Sequence, residues 1–177
     1  KVVATNVTFD HNEANASNGS GETGQGGAVH AYSDVTFTDV TATGNKAVGD
    51  AERSGDAVNA GGAVSGEATI TITRGLFTGN TASARGGVAR GPSVIIDRAH
   101  LHDNAAGSEG GAVMAYIANV TAATVSANHA PRGGAVATPS FGSVTVENST
   151  IVGNSAGAAN GSPKPGAAFA TKVLELE

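Results

Sequence analysis

The chain has 177 residues, a formal net charge of -5, no cysteine, no tryptophan and 4% aromatic residues. Leu, Ile, Val and Phe make up fewer than one residue in five, a level that marks disorder only when net charge is also high, so an ordered fold with a thin core of small side chains is expected. The mild acidity and the lack of a basic stripe exclude a phosphate-driven nucleic-acid binder, the missing cysteines exclude disulfides and thiolate zinc sites, and no apolar run approaches the ~20 residues of a membrane-spanning helix.

Taken in chain order, one pattern returns six times. Val2, Ala4 and Phe9 precede Asn12 and Ala14, and the glycine pair Gly26-Gly27 follows. Val35, Phe37 and Ala42 precede Asn45 and Ala47, then Gly61-Gly62. Ile70, Ile72 and Phe77 precede Asn80 and Ala82, then Gly86-Gly87. Val94, Ile96 and Leu101 precede Asn104 and Ala106, then Gly110-Gly111. Ala118, Val120 and Val125 precede Asn128 and Ala130, then Gly133-Gly134. Val144, Val146 and Ile151 precede Asn154 and Ala156, and Gly166-Ala167 is a decayed sixth pair.

Within each unit the apolar residues alternate with period two, the spacing of short strands rather than helices. Strands joined by Asn and Gly turns at this period predict an all-β fold, a right-handed parallel β-helix of six to seven coils. Residues 1–177 then form a single β-helix domain, expected to be a fragment of a longer surface protein. Asn12, Asn45, Asn80, Asn104, Asn128 and Asn154 are expected to form a structural ladder, each amide bonded to the identical amide one coil away. Asparagine also tolerates left-handed backbone at a bend. The glycine pairs permit sharp turns with close backbone approach.

Function on a solenoid is expected where the repeat is interrupted. Four or five residues join Asn to the next glycine pair in three coils, but insertions occupy residues 13–25, 46–60 and 155–165. The first two leave the same corner of adjacent coils and are the candidate binding loops. In the second, Asp50, Glu52, Ser54 and Asp56 have the alternate-oxygen spacing that opens a calcium loop. The bidentate Glu of the full motif is missing, since Gly61 stands there. A solvated acidic loop is the competing reading, and no other cofactor is indicated.

Three outward patterns carry weaker chemistry. Asp97 and Glu147 occupy equivalent positions two coils apart, a separation that suits an inverting glycosidase pair. His100 and His102 flank the inward Leu101, with Asp103 beside them, but no firm third ligand accompanies them. Thr36, Thr38, Thr71, Thr73, Thr121 and Thr145 make T-x-T ranks of the kind that suit ice binding, interrupted by Ile95, Asp97, Asn119 and Glu147.

The words Gly-Gly-Ala-Val at 26–29, 61–64, 110–113 and 133–136, with Phe-x-x-Asn at 9–12 and 77–80, resemble the repeats of polymorphic outer membrane proteins, chlamydial-type autotransporter adhesins. The resemblance covers residues 1 to about 170. Only two anchors are Phe, and one copy reads Gly-Gly-Val-Ala at 86–89. It implies a bacterial, secreted autotransporter passenger displayed at the cell surface, acting in adhesion to a host-cell protein or glycan receptor.

The expected function is therefore a non-catalytic extracellular or cell-surface module that binds through loops and flat faces. The alternatives are a carbohydrate-active β-helix enzyme of polysaccharide lyase or hydrolase type, and a structural stalk or self-assembling solenoid that associates end to end.

Overall fold

The computed structural model of the chain describes residues 1–15, 24–49, 60–157, 168–171 and 173–176. Among these residues every regular element is a strand, and every strand pairing is parallel. The chain winds as a parallel β-helix with three sheets.

The first sheet stacks Val2–Thr5, Val35–Thr38, Thr69–Thr73, Ala89–Asp97, Val113–Thr121, Ser143–Glu147 and Val173–Leu176. The nine-residue strands Ala89–Asp97 and Val113–Thr121 also carry a second wing of this sheet, made by Val29–Ala31, Val64–Gly66, Val136–Ala137 and Phe169–Ala170. The second sheet runs Thr8–Asp10, Thr41–Thr43, Leu76–Thr78, His100–His102, Thr124–Ser126 and Thr150–Val152. The third runs Glu13–Asn15, Lys46–Val48, Thr81–Ala82, Ala105–Ala106, His129–Ala130 and Ser155–Ala156. Among the described residues six successive coils contribute a strand to each of the three sheets, and Val173–Leu176 begins a seventh.

The third sheet revises the expected insertions. Residues 13–15, 46–48 and 155–156 are strand rather than loop, and Ala60, at the far end of the second insertion, is fully buried. The middles of the insertions, with Gly166-Ala167, lie outside the described residues.

The core is built from the alternating apolar positions. Val35, Ile70, Val94, Ala118 and Val144 form one buried rank in register. Phe37, Ile72, Ile96, Val120 and Val146 form the next. Facing them in the second sheet are Ala42, Phe77, Leu101 and Val125, also buried. Ala42 looks too small for its rank, since it lies between Phe9 and Phe77. The ring of Phe37 crosses from the first sheet and fills the space. It sits 5.6 Å from the Phe9 ring and 6.3 Å from that of Phe77.

The asparagines stack as a ladder at the corner between the second and third sheets. Nδ2 of each donates to Oδ1 of the next, from Asn12 to Asn154, at 2.8–3.0 Å. The same Oδ1 accepts the backbone N–H of the asparagine one coil earlier. The second proton of Nδ2 reaches the carbonyl of the anchor residue in that earlier coil, as Asn104 does to Phe77 at 3.0 Å.

The left-handed backbone is placed differently from the expectation. The ladder asparagines have no positive φ. The residue just before each one does: His11, Gly44, Gly79, Asp103, Ala127 and Gly153, with φ of 50–65°. A second such column, Asn6, Asp39, Arg74, Arg98, Ala122 and Asn148, turns the chain from the first sheet into the second. The asparagine amide is occupied in bonding between coils, so the bend itself falls to its neighbour.

At the glycine corner, Gly110 has φ 66°, and a Cβ on Gly111 would run into the carbonyl oxygen of Gly134 in the next coil. The first glycine of that pair supplies the turn and the second the close approach.

Candidate functional site

Immediately before three consecutive glycine pairs stand Arg85, Glu109 and Arg132. The coil register places them directly above one another, Arg85 opposite Glu109 and Glu109 opposite Arg132. Like charges in such a column would repel, and alternation lets the central carboxylate bridge two guanidiniums. Arg132 donates from Nε to Oε1 of Glu109 at 2.8 Å and brings Nη2 to 2.7 Å of the same oxygen. Its Nη2 also donates to the carbonyl of Thr138 at 3.3 Å. Arg85 approaches the other oxygen, Oε2, through Nε at 3.3 Å. All three side chains are roughly one quarter exposed, so the charges are only partly screened by water.

This column forms one wall of a cleft of about 390 Å³. Arg90, Met114, Tyr116, Pro139 and Ser140 line the rest of it, over the small residues Gly91 and Ala115. A local break in the sheet raises the far wall. The strands Ala89–Asp97 and Val113–Thr121 cross this region without interruption. The next coil leaves the sheet after Val136–Ala137 and rejoins it at Ser143–Glu147. Between them, Gly142 donates its N–H to the carbonyl of Pro139 at 2.9 Å, closing a turn that lifts the chain outward. A second cleft of about 260 Å³ lies across this turn, against Phe169, Ala170 and Thr171. The two share Arg132, Pro139 and Ser140.

The larger cleft carries three guanidiniums and one carboxylate on a chain whose net charge is -5. It is a local positive site on an acidic molecule. Tyr116 is half exposed and gives it a flat aromatic surface.

Arg90 continues a column that begins with His30 and Ser65. Both ring nitrogens of His30 and the hydroxyl of Ser65 are buried without a hydrogen-bond partner, while the His30 ring meets Tyr32 edge-on at 4.9 Å. Leaving such atoms unpaired is costly.

The residues singled out in the sequence fall elsewhere. Asp50, Glu52, Ser54 and Asp56 lie outside the described residues, as do residues 16–23 of the first insertion. Among the described residues, no group of three or more His, Asp or Glu is arranged to hold a metal ion. Asp97 and Glu147 are two coils apart in one column with Thr121 between them, and neither lines a cleft described above. Asp97 is engaged by Arg98 at 2.6 Å. His100 and His102 flank the buried Leu101, and His102 Nδ1 lies 3.0 Å from Asp103. The threonine ranks are in register, Thr36 with Thr71 and Thr38 with Thr73, until Ile95 and Asp97 interrupt them.

A second charged pair stacks in the left-handed column. Arg74 donates from Nε and Nη2 to the two carboxylate oxygens of Asp39, both at 2.8 Å. The hydrogen bond from Arg74 holds the Asp39 carboxyl below its ordinary value.

The cleft has a sequence signal, the charged residue before each of three glycine pairs, which alignment on apolar and asparagine positions passes over. Its other wall has none, because it depends on where one turn leaves the sheet. By architecture the chain is a parallel β-helix repeat protein with a positively charged cleft on one corner. Compared with protein-family models, with curated proteins and with solved structures, it matches none.

Proposed function

We propose that the chain is a non-catalytic binding module of an extracellular or cell-surface protein, in which the stacked coils act as a stalk and one corner makes the contacts. The observation that carries this reading is the cleft at Arg85, Glu109 and Arg132. It offers fixed hydrogen-bond donors and an aromatic face, the elements of recognition. Its one carboxylate is bridged by two guanidiniums, whereas glycoside hydrolysis by paired carboxylates needs one free to act as acid or base. The resemblance of the Gly-Gly-Ala-Val and Phe-x-x-Asn words to surface-displayed passengers supports the same reading and extends it to adhesion.

The test pairs adhesion to cells and immobilised glycans with turnover assays on acidic and neutral polysaccharides. Saturable binding without product is expected. Cleavage that disappears in Asp97→Asn or Glu147→Gln would replace the binding module with an enzyme.

A further inference from the structure

We infer that the cleft bounded by Arg85, Arg90, Arg132 and Tyr116 takes a carboxylate-bearing oligosaccharide. The inference rests on the binding-module reading and names the ligand class of that same corner.

Charge sets the first requirement. The lining carries a positive surplus, and its cations are all arginine. A guanidinium presents a planar fork of five N–H donors that matches a carboxylate in a way a lysine ammonium does not. The protein displays that match at Arg74, which reaches both oxygens of Asp39 at 2.8 Å, and in the cleft the Glu109 carboxylate draws one guanidinium from each side. Arg85 approaches Glu109 at 3.3 Å against 2.7 Å for Arg132, so its guanidinium is the less tightly engaged of the two and the better placed to turn to an incoming anion.

Shape sets the second. A cleft of about 390 Å³ lies within the range of about 300–1,000 Å³ usual for organic ligands and far exceeds what a small inorganic anion fills. The turn of Pro139 and Ser140 divides it from the second cleft of about 260 Å³, and Arg132 borders both. An occupant longer than one sugar ring can straddle that turn and keep its contact with Arg132. The exposed face of Tyr116 offers an apolar platform for the C–H face of a sugar ring, and Ser140 offers a hydroxyl to its polar edge.

The backbone disfavours an acidic peptide. Extended peptides gain affinity by adding a strand to an open sheet edge. Here the strands beside the cleft, Ala89–Asp97 and Val113–Thr121, are paired with neighbouring coils along both sides except at Gly91-Pro92 and Ala115-Tyr116, two-residue gaps too short to take an added strand.

The experiment is calorimetric titration of the protein with a galacturonate hexamer, a neutral maltohexaose and a hexaglutamate peptide, at low and high salt. The galacturonate hexamer is expected to bind at least about tenfold more tightly than the other two, and more weakly as salt rises. Arg132→Gln, which borders both clefts, and Tyr116→Ala should each weaken it about tenfold or more while the strand spectrum in circular dichroism is retained. Glu109→Gln removes the competing internal carboxylate and should tighten binding; a purely structural bridge predicts the reverse. If Glu109→Gln does not fold, Arg85→Gln replaces it and should weaken binding. Equal affinity for maltohexaose or for hexaglutamate, or full galacturonate affinity in Arg132→Gln, overturns the ligand class. Adhesion to cells without any galacturonate binding overturns this inference alone. Cleavage of the hexamer overturns the binding-only reading and leaves the ligand class standing.

Discussion

Asn104 makes a hydrogen bond in every direction its amide allows, to Asn80, Asn128 and Phe77, and is 1% exposed. Asn104→Ala leaves donors and acceptors of three residues unpaired in the interior and should cost about 1–3 kcal/mol in urea unfolding. Asn119 points outward in the first sheet, and Asn119→Ala should stay within about 0.5 kcal/mol. The left-handed column gives a second test. Ala122 has φ 50°, so Ala122→Gly relieves backbone strain while loosening the unfolded chain, and the two effects nearly cancel. The same change at buried Ala118 removes a packed methyl with no strain to relieve, and should cost about 1–2 kcal/mol. Asp39 gives the pH test. Its folded pKa lies below the ordinary 3.8, so the stability it adds is fully present above 3.8. That stability is lost as pH falls through the lower folded value. The difference in unfolding free energy between the native chain and Asp39→Asn should therefore shrink across that acid window and stay constant above it.

At the scale of the element, the strands were legible because their apolar positions recur with period two and keep one register. The ladder was legible because asparagine recurs three residues after each anchor. The bends were legible only in part, because Asn6, Asp39 and Asn148 suit left-handed backbone while Arg74, Arg98 and Ala122 in the same column carry no residue type that announces it. The third sheet was hidden for a related reason. Its strands are two or three residues long, too short to show a period. Packing between elements was also outside what alternation reveals. Ala42 is a weak anchor by sequence, yet Phe37 fills its place from the facing sheet. Phe37→Ala should cost about 3–5 kcal/mol. Adding Ala42→Phe should recover part of that loss by returning a ring to the same space, which a thermal melt of the single and double variants checks.

At the scale of the whole molecule, each coil contacts its neighbours in sequence, so a change confined to one corner leaves the stack intact. Replacing residues 46–60 with the five-residue sequence at 81–85 is compatible with the third sheet, because Thr81 and Ala82 already pair with Lys46 and Ala47. The strand spectrum in circular dichroism should persist. Adhesion should fall if that insertion contributes contacts, while His102→Ala should leave it unchanged. If galacturonate binding survives the exchange while adhesion drops, the insertion and the cleft act separately.

The amide ladder also gives the solenoid a direction. All five side-chain bonds point the same way, each N–H toward the later coil. The row therefore ends in an acceptor at Asn12 and in a donor at Asn154. Two such ends match only when the donor of one row meets the acceptor of another. Reversed stacking would set oxygen against oxygen or N–H against N–H. Any further coil, from this chain or another, must join head to tail, and a filament grown from this fold would be polar.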